Sequence, residues 1–176
     1  MASITHSDEV VPGNCAGSYT IKRTWTAVDG CGNAASCVQT ITVTDGTGPV
    51  LTGVPANETV DCSSIPAPPT VTAADDCSGV AGDVAYSEVR TDGNCAGNYT
   101  LTRTWTATDN CGNATSMSQV ITVTDTHGPV LSGVPADASA DCASIPAPPT
   151  VTAADDCSGV AGEVAYSEVR TDGSCA

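Results

Sequence analysis

The chain has 176 residues, ten cysteines, no phenylalanine, two tryptophans and a formal net charge of −15. That acidic balance offers no basic face to nucleic acid or to an anionic membrane surface, and no apolar run is long enough to cross a bilayer. The apolar residues are mostly Ala and Val, so a small unit buries little area and needs disulfides or metal to hold it; ten cysteines fit an oxidising compartment.

Taken in chain order, residues 1–47 read as the second half of a module. NCAGSYTIKRTWTAVDGCGNAA from Asn14 returns as NCAGNYTLTRTWTATDNCGNAT from Asn94, and Gly48–Ala96 returns as Gly128–Ala176 with eight differences in forty-nine positions. Both offsets are eighty residues, the mark of a repeat architecture. Residues 48–127 then form one complete module, and residues 128–176 the first half of another. Within the complete module, β-branched runs punctuated by Pro, Gly, Asn and Asp predict strands near 49–54, 57–62, 69–74, 83–90, 98–108 and 115–124. In the long fifth strand Tyr99, Leu101, Trp105 and Ala107 alternate with Thr100, Thr102, Thr104, Thr106 and Thr108, the period of a half-buried strand. Arg103 interrupts the apolar face, with stacking on Trp105 as the available explanation. Short strands at this spacing suggest a two-sheet sandwich. The opening MASITHSDEV contains no apolar signal-peptide segment, so a secretion signal is expected outside this stretch.

The segments PVLxGVP, DDCSGV, WTATDNCGNA and VITVTD resemble hyalin-repeat and related immunoglobulin-like modules of long bacterial surface proteins. The resemblance covers nearly the whole chain. It implies an all-β fold of tandem immunoglobulin-like β-sandwich modules of about 80 residues, exported to the cell surface or beyond. Such modules often carry a cysteine near the first strand and another in the last. Val54 and Met117 stand in those places here, whereas Cys37 occupies the latter position in the preceding half-module.

The complete module holds Cys62, Cys77, Cys95 and Cys111, which allow three pairings. Cys95 and Cys111 flank the long strand, so roughly 30 Å of extended chain separates them, against the limit of about 7 Å between bridged Cα atoms. In an immunoglobulin-like strand order the loops of Cys77 and Cys111 share one end of the sandwich, and Cys62 and Cys95 the other. The expected bridges are Cys77–Cys111 and Cys62–Cys95, with Cys62–Cys77 as the competing pair and Cys142–Cys175 as the repeat of Cys62–Cys95. The absence of CxxC spacing argues against structural zinc.

The same end gathers Asp75, Asp76, Asp109 and Asn110. In a head-to-tail array the last strand of one module delivers Asp45 to these loops, and Asp125 to Asp155 and Asp156. Convergent carboxylates suit Ca²⁺, which takes six to eight oxygens; the alternative is that these residues only make turns. Catalysis is not expected: His6 and His127 are the only histidines, neither is placed beside Ser63 or Ser64, and Asp75/Asp76 lacks an aromatic sugar platform. Asn57, Asn98 and Asn113 begin N-x-T sequons, which carry glycans only where the producing cell adds them.

The sequence thus predicts a structural extracellular fibre, stalk or matrix component whose partners are copies of itself or neighbouring repeats. The alternative is an adhesin whose repeats present a recognition domain elsewhere. A half-sandwich leaves an apolar face and open edges. The terminal halves are therefore expected either to continue into a longer array or to complete one another between subunits by strand complementation, with Cys157 of one copy beside Cys31 of the next.

Overall fold

Eleven strands and no helix make up the described residues, 2–141 and 143–171, of the computed structural model. The strands are β1 (Ser3–Pro12), β2 (Tyr19–Val28), β3 (Ala34–Val43), β4 (Val50–Thr52), β5 (Glu58–Asp61), β6 (Thr72–Ala74), β7 (Ala85–Asp92), β8 (Tyr99–Thr108), β9 (Ala114–Thr124), β10 (Val130–Ser132) and β11 (Thr152–Ala154). All six strands expected for residues 48–127 are present. Two are shorter than the pattern suggests. β6 starts only after Pro68-Pro69, which lack ladder donors, and β4 stops at Gly53, which takes φ of 96°.

The chain folds as two compact units. The first comprises residues 1–57, 67–89 and 102–120. It contains the antiparallel sheet β1-β2-β3, with β1 paired to β2 from Ser3↔Val28 to Pro12↔Tyr19 and β2 to β3 from Tyr19↔Val43 to Val28↔Ala34. It also contains the antiparallel pair β4–β6. Leu51 and Val71 pack on Trp105 and Ala107, with Val54, Ala73, Val80 and Val84 around them. This is the apolar face that the Tyr99–Thr108 alternation predicts, and Trp105 is only 2 % exposed.

Arg103, 3 % exposed, lies on that face. An ion pair accounts for it: Arg103 Nε donates to Glu88 Oε2 at 2.7 Å, and the Tyr86 hydroxyl donates to the same oxygen at 3.0 Å. The arrangement recurs eighty residues earlier, where Arg23 makes two 2.8 Å hydrogen bonds to Asp8. Tyr86 tilts against Trp105 as His6 tilts against Trp25.

The second unit comprises residues 58–66, 90–101 and 121–176. Its core is Leu101, Ile121 and Val123, joined by Val60, Ile65 and Tyr99, with β5 running parallel to β9 from Glu58↔Ile121 to Asp61↔Thr124. Arg90 lies 3.6 Å over the Tyr99 ring. β10 and β11 form a separate antiparallel pair. Strands β7, β8 and β9 each contribute residues to both units, in the sheet order β5-β9-β8-β7.

Candidate cation site and cysteine junctions

Three kinds of turn build the site, each organised by an aspartate that collects backbone donors. In the loop after β6, Asp75 Oδ1 accepts the backbone N–H groups of Cys77, Ser78 and Gly79 at 3.1, 2.7 and 3.0 Å. The loop between β8 and β9 wraps on Asp109. Its Oδ1 accepts from the Cys111 and Asn113 backbones at 2.9 and 2.7 Å, and its Oδ2 from the Asn113 side chain at 2.7 Å. Past β3, Asp45 Oδ1 accepts the Thr47 backbone N–H at 3.1 Å, and Asn113 donates to the Asp45 carbonyl at 3.2 Å. Asn113 is thus the strut between the Asp109 turn and the segment leaving β3. As a sequon asparagine it gave no sequence signal for that role beyond its place four residues after an Asp.

These turns bring carboxylate oxygens of Asp45, Asp75 and Asp109 within 4.8 Å of one another. Asp109 is 2 % exposed. Asp45 Oδ2 is buried and accepts no hydrogen bond. The Ser78 N–H, with those of Cys77 and Gly79, holds the Asp75 carboxyl below the usual range against the opposing effect of burial. Burial pushes Asp109 up, but the bonds from Asn113 and Cys111 outweigh it and keep that carboxyl low as well. Two donor-stabilised carboxylates therefore face a third whose buried oxygen has no donor, and this donor set fits a hard cation with oxygen preference.

Of the other expected ligands, Asn110 ties the loops instead, donating to the Ser78 and Gly79 carbonyls at 2.6 and 3.3 Å. Asp76 lines a cleft with Gly48, Val50 and Cys77. Asp125, Asp155 and Asp156 do not converge as a trio. Asp155 instead holds its own loop as Asp75 does, accepting from the Cys157, Ser158 and Gly159 backbones at 3.1, 2.7 and 3.1 Å, and the Ser158 N–H leads the bonds that keep its carboxyl low. A second cluster, Asp61, Cys62 and Cys157, has its two sulfurs committed to a disulfide and so offers no thiolates.

The disulfides differ from the expected pairing. Cys111 is bonded to Cys15, not Cys77, and Cys62 to Cys157, not Cys95 or Cys77; the Cα separations are 5.1 and 6.0 Å. Cys157 is therefore not free to meet Cys31. Cys31, Cys37, Cys77 and Cys95 are exposed thiols, while Cys142 and Cys175 lie outside the described residues. The same position occurs in successive repeats, and each partner comes from a neighbouring one: Cys15, bonded to Cys111, has the repeat position of Cys95, and Cys157, bonded to Cys62, has that of Cys77. Both bonds join cysteines of successive sequence repeats, across 96 and 95 residues.

The first bond sits beside the acids. A Cβ on Gly17 would lie 2.9 Å from Asp45 Cβ and 3.3 Å from Cys77 Cβ, so this close approach requires glycine. Of the remaining sequons, the Asn98 side-chain oxygen accepts the Asp125 backbone N–H, and that of Asn57 accepts the N–H of Val120.

Residues 50–123 match the family model of the HYR-like domain with 4 cysteines, which supports an HYR-like domain in that stretch of the chain. HYR-like domains are non-catalytic extracellular modules. The match and the chain's two disulfides, each joining a cysteine inside it to one outside, fit an extracellular or cell-surface protein of the surface or adhesion type. A search of curated proteins found no match.

Proposed function

We propose that the chain is a structural component of an extracellular fibre, stalk or matrix, in which successive modules meet head to tail and are fixed at each junction by a disulfide and a calcium ion. The observation that supports this reading most strongly is the placement of Asp45, Asp75 and Asp109 beside the Cys15–Cys111 bond. Asp45 comes from one sequence repeat, and Asp75 and Asp109 come from the next. A cation held by all three stabilises only the joined state. Without it, three carboxylates with oxygens within 4.8 Å repel one another.

Ca²⁺ would be held by Asp45, Asp75 and Asp109, with Asn113 setting the Asp109 side chain. Linkage requires a ligand bound only by the folded form to raise its melting temperature, by about 2.7 kcal/mol of stability at a hundredfold excess over Kd. The test is calorimetry of the full chain with added Ca²⁺ and with chelator. Melting should rise with Ca²⁺ and return on chelation, and Asp45→Asn should remove most of the difference. A melting temperature indifferent to Ca²⁺ would reduce these acids to turn residues and solubilising charge.

A further inference from the structure

Of the free thiols, Cys31 and Cys95 lie on loops that duplicate ones already bonded. In the Cys15 loop, Gly13 donates to the Ser18 carbonyl at 2.8 Å and Ser18 to that of Cys15 at 3.0 Å; in the Cys95 loop, Gly93 to Asn98 and Asn98 to Cys95 repeat both distances. The Cys31 loop copies the Cys111 loop in the same way. Asp29 collects the Cys31 and Asn33 donors at 2.8–2.9 Å, as Asp109 does those of Cys111 and Asn113, and Gly32 and Gly112 share φ of 91° and 92°. Cys95 is thus presented as Cys15 is, and Cys31 as Cys111 is. The bond between the bonded pair, Cys15–Cys111, therefore has a ready counterpart between a Cys95 and a Cys31.

The apolar faces have the same complementarity. Leu51 and Val71 cover Trp105, but at the same repeat positions Trp25 is 38 % and Leu131 53 % exposed. Among the described residues no layer like that of Leu51 and Val71 covers the Trp25 face of β1-β2-β3, and residues 128–162 carry that layer's sequence. We infer that a second copy of this chain docks end to end, with residues 128–162 of the first copy over the Trp25 face of the second and Cys95 of the first bonded to Cys31 of the second. The same placement brings Asp125 and Asp155 of the first copy to Asp29 of the second, repeating the set Asp45, Asp75 and Asp109. It also settles which of two equivalent segments keeps its place. β1 is paired to β2 along its whole length, whereas residues 163–171 of the same repeat position form no strand, so β1 stays and the latter are displaced. Each bridge forms as two thiols pass two electrons and two protons to a low-molecular-weight disulfide, which leaves as two thiols.

This inference rests on the array proposed above and extends it to a named contact. The test is oxidation of the concentrated full chain in a reduced/oxidised glutathione buffer, followed by non-reducing electrophoresis and peptide mapping. The expected result is a ladder that collapses on reduction to one 17.5 kDa band and yields a Cys31–Cys95 linked peptide. Cys31→Ser or Cys95→Ser should remove that peptide, Trp25→Glu should diminish the ladder, and Cys37→Ser should leave it unchanged. A ladder that depends on Cys37, one indifferent to Trp25→Glu, or a monomer with alkylatable Cys31 and Cys95 and intact internal bridges would overturn the inference. Calcium-dependent melting of the monomer separates the two ideas. A retained calcium response in a chain that does not link leaves the array reading standing and removes only the copy-to-copy contact.

Discussion

Trp105 and Trp25 occupy the same repeat position, yet their environments differ: 2 % and 38 % exposed. Truncating a fully packed tryptophan costs about 3–5 kcal/mol through lost burial and the cavity left behind. Trp105→Ala should therefore shift the urea midpoint followed by circular dichroism far more than Trp25→Ala does. Asn113 is the other residue whose weight exceeds its sequence signal. Its amide donates to both the Asp45 carbonyl and Asp109 Oδ2. Asn113→Asp removes both donors and adds a carboxylate, so it should cost about 1–3 kcal/mol and lower the melting temperature. Equal melting of the two proteins would dismiss Asn113 as a strut.

At the scale of elements, a charge pair between neighbouring strands is used twice in different settings. Arg103–Glu88 links β8 to β7 with its arginine side chain 4 % exposed, while Arg23–Asp8 links β2 to β1 with side chains near 30 %. Breaking a buried pair from one side costs about 3–5 kcal/mol, less here because the Glu88 side chain remains 35 % exposed; an exposed pair is worth about 0–1 kcal/mol. Arg103→Ala should destabilise by more than Arg23→Ala, and added salt should shrink the smaller effect further. The strands themselves were legible because period two in Tyr99–Thr108 marks which side faces the core. Arg103 broke the pattern because its partner, Glu88, lies on another strand fifteen residues away.

For the molecule as a whole, covalent closure and acid behaviour follow from the same turns. The two bridges close loops of 96 and 95 residues, each worth about 4–5 kcal/mol in the chain-entropy account. Reduction should therefore lower the melting temperature more than any single substitution above; a reduced chain that melts with the oxidised one would contradict this. Asp61, Asp75, Asp109 and Asp155 all have folded-state carboxyls held below 3.8, the Ser63 N–H leading at Asp61. Each binds fewer protons folded than unfolded. Their stabilising contribution is complete above the unfolded value near 3.8 and is lost as pH falls through the lower folded values. Melting should vary little with pH just above that value through these groups and drop steeply below it.

The amino-acid sequence by itself determined the repeat, the β class, the six strands of residues 48–127 and the face that Leu101, Trp105 and Ala107 bury. All of these are local properties, carried by alternation, Pro/Gly punctuation and the eighty-residue offset. It also singled out Asp45, Asp75 and Asp109, whose oxygens converge, but equally Asp76, Asn110, Asp125, Asp155 and Asp156, which do not join that cluster, because turn acids recur beside the cysteines in every repeat. Only the tertiary structure decided how the cysteines pair. In a repeated sequence Cys77 and Cys157 occupy the same repeat position, as do Cys15 and Cys95, so no local signal distinguishes a bond within a repeat from one between repeats. The rejected pair Cys95–Cys111 was too far apart only along its own strand, and the competitor Cys62–Cys77 named the right positions one repeat too early. Distance in space, set by which loops meet at a junction, selected Cys15–Cys111 and Cys62–Cys157.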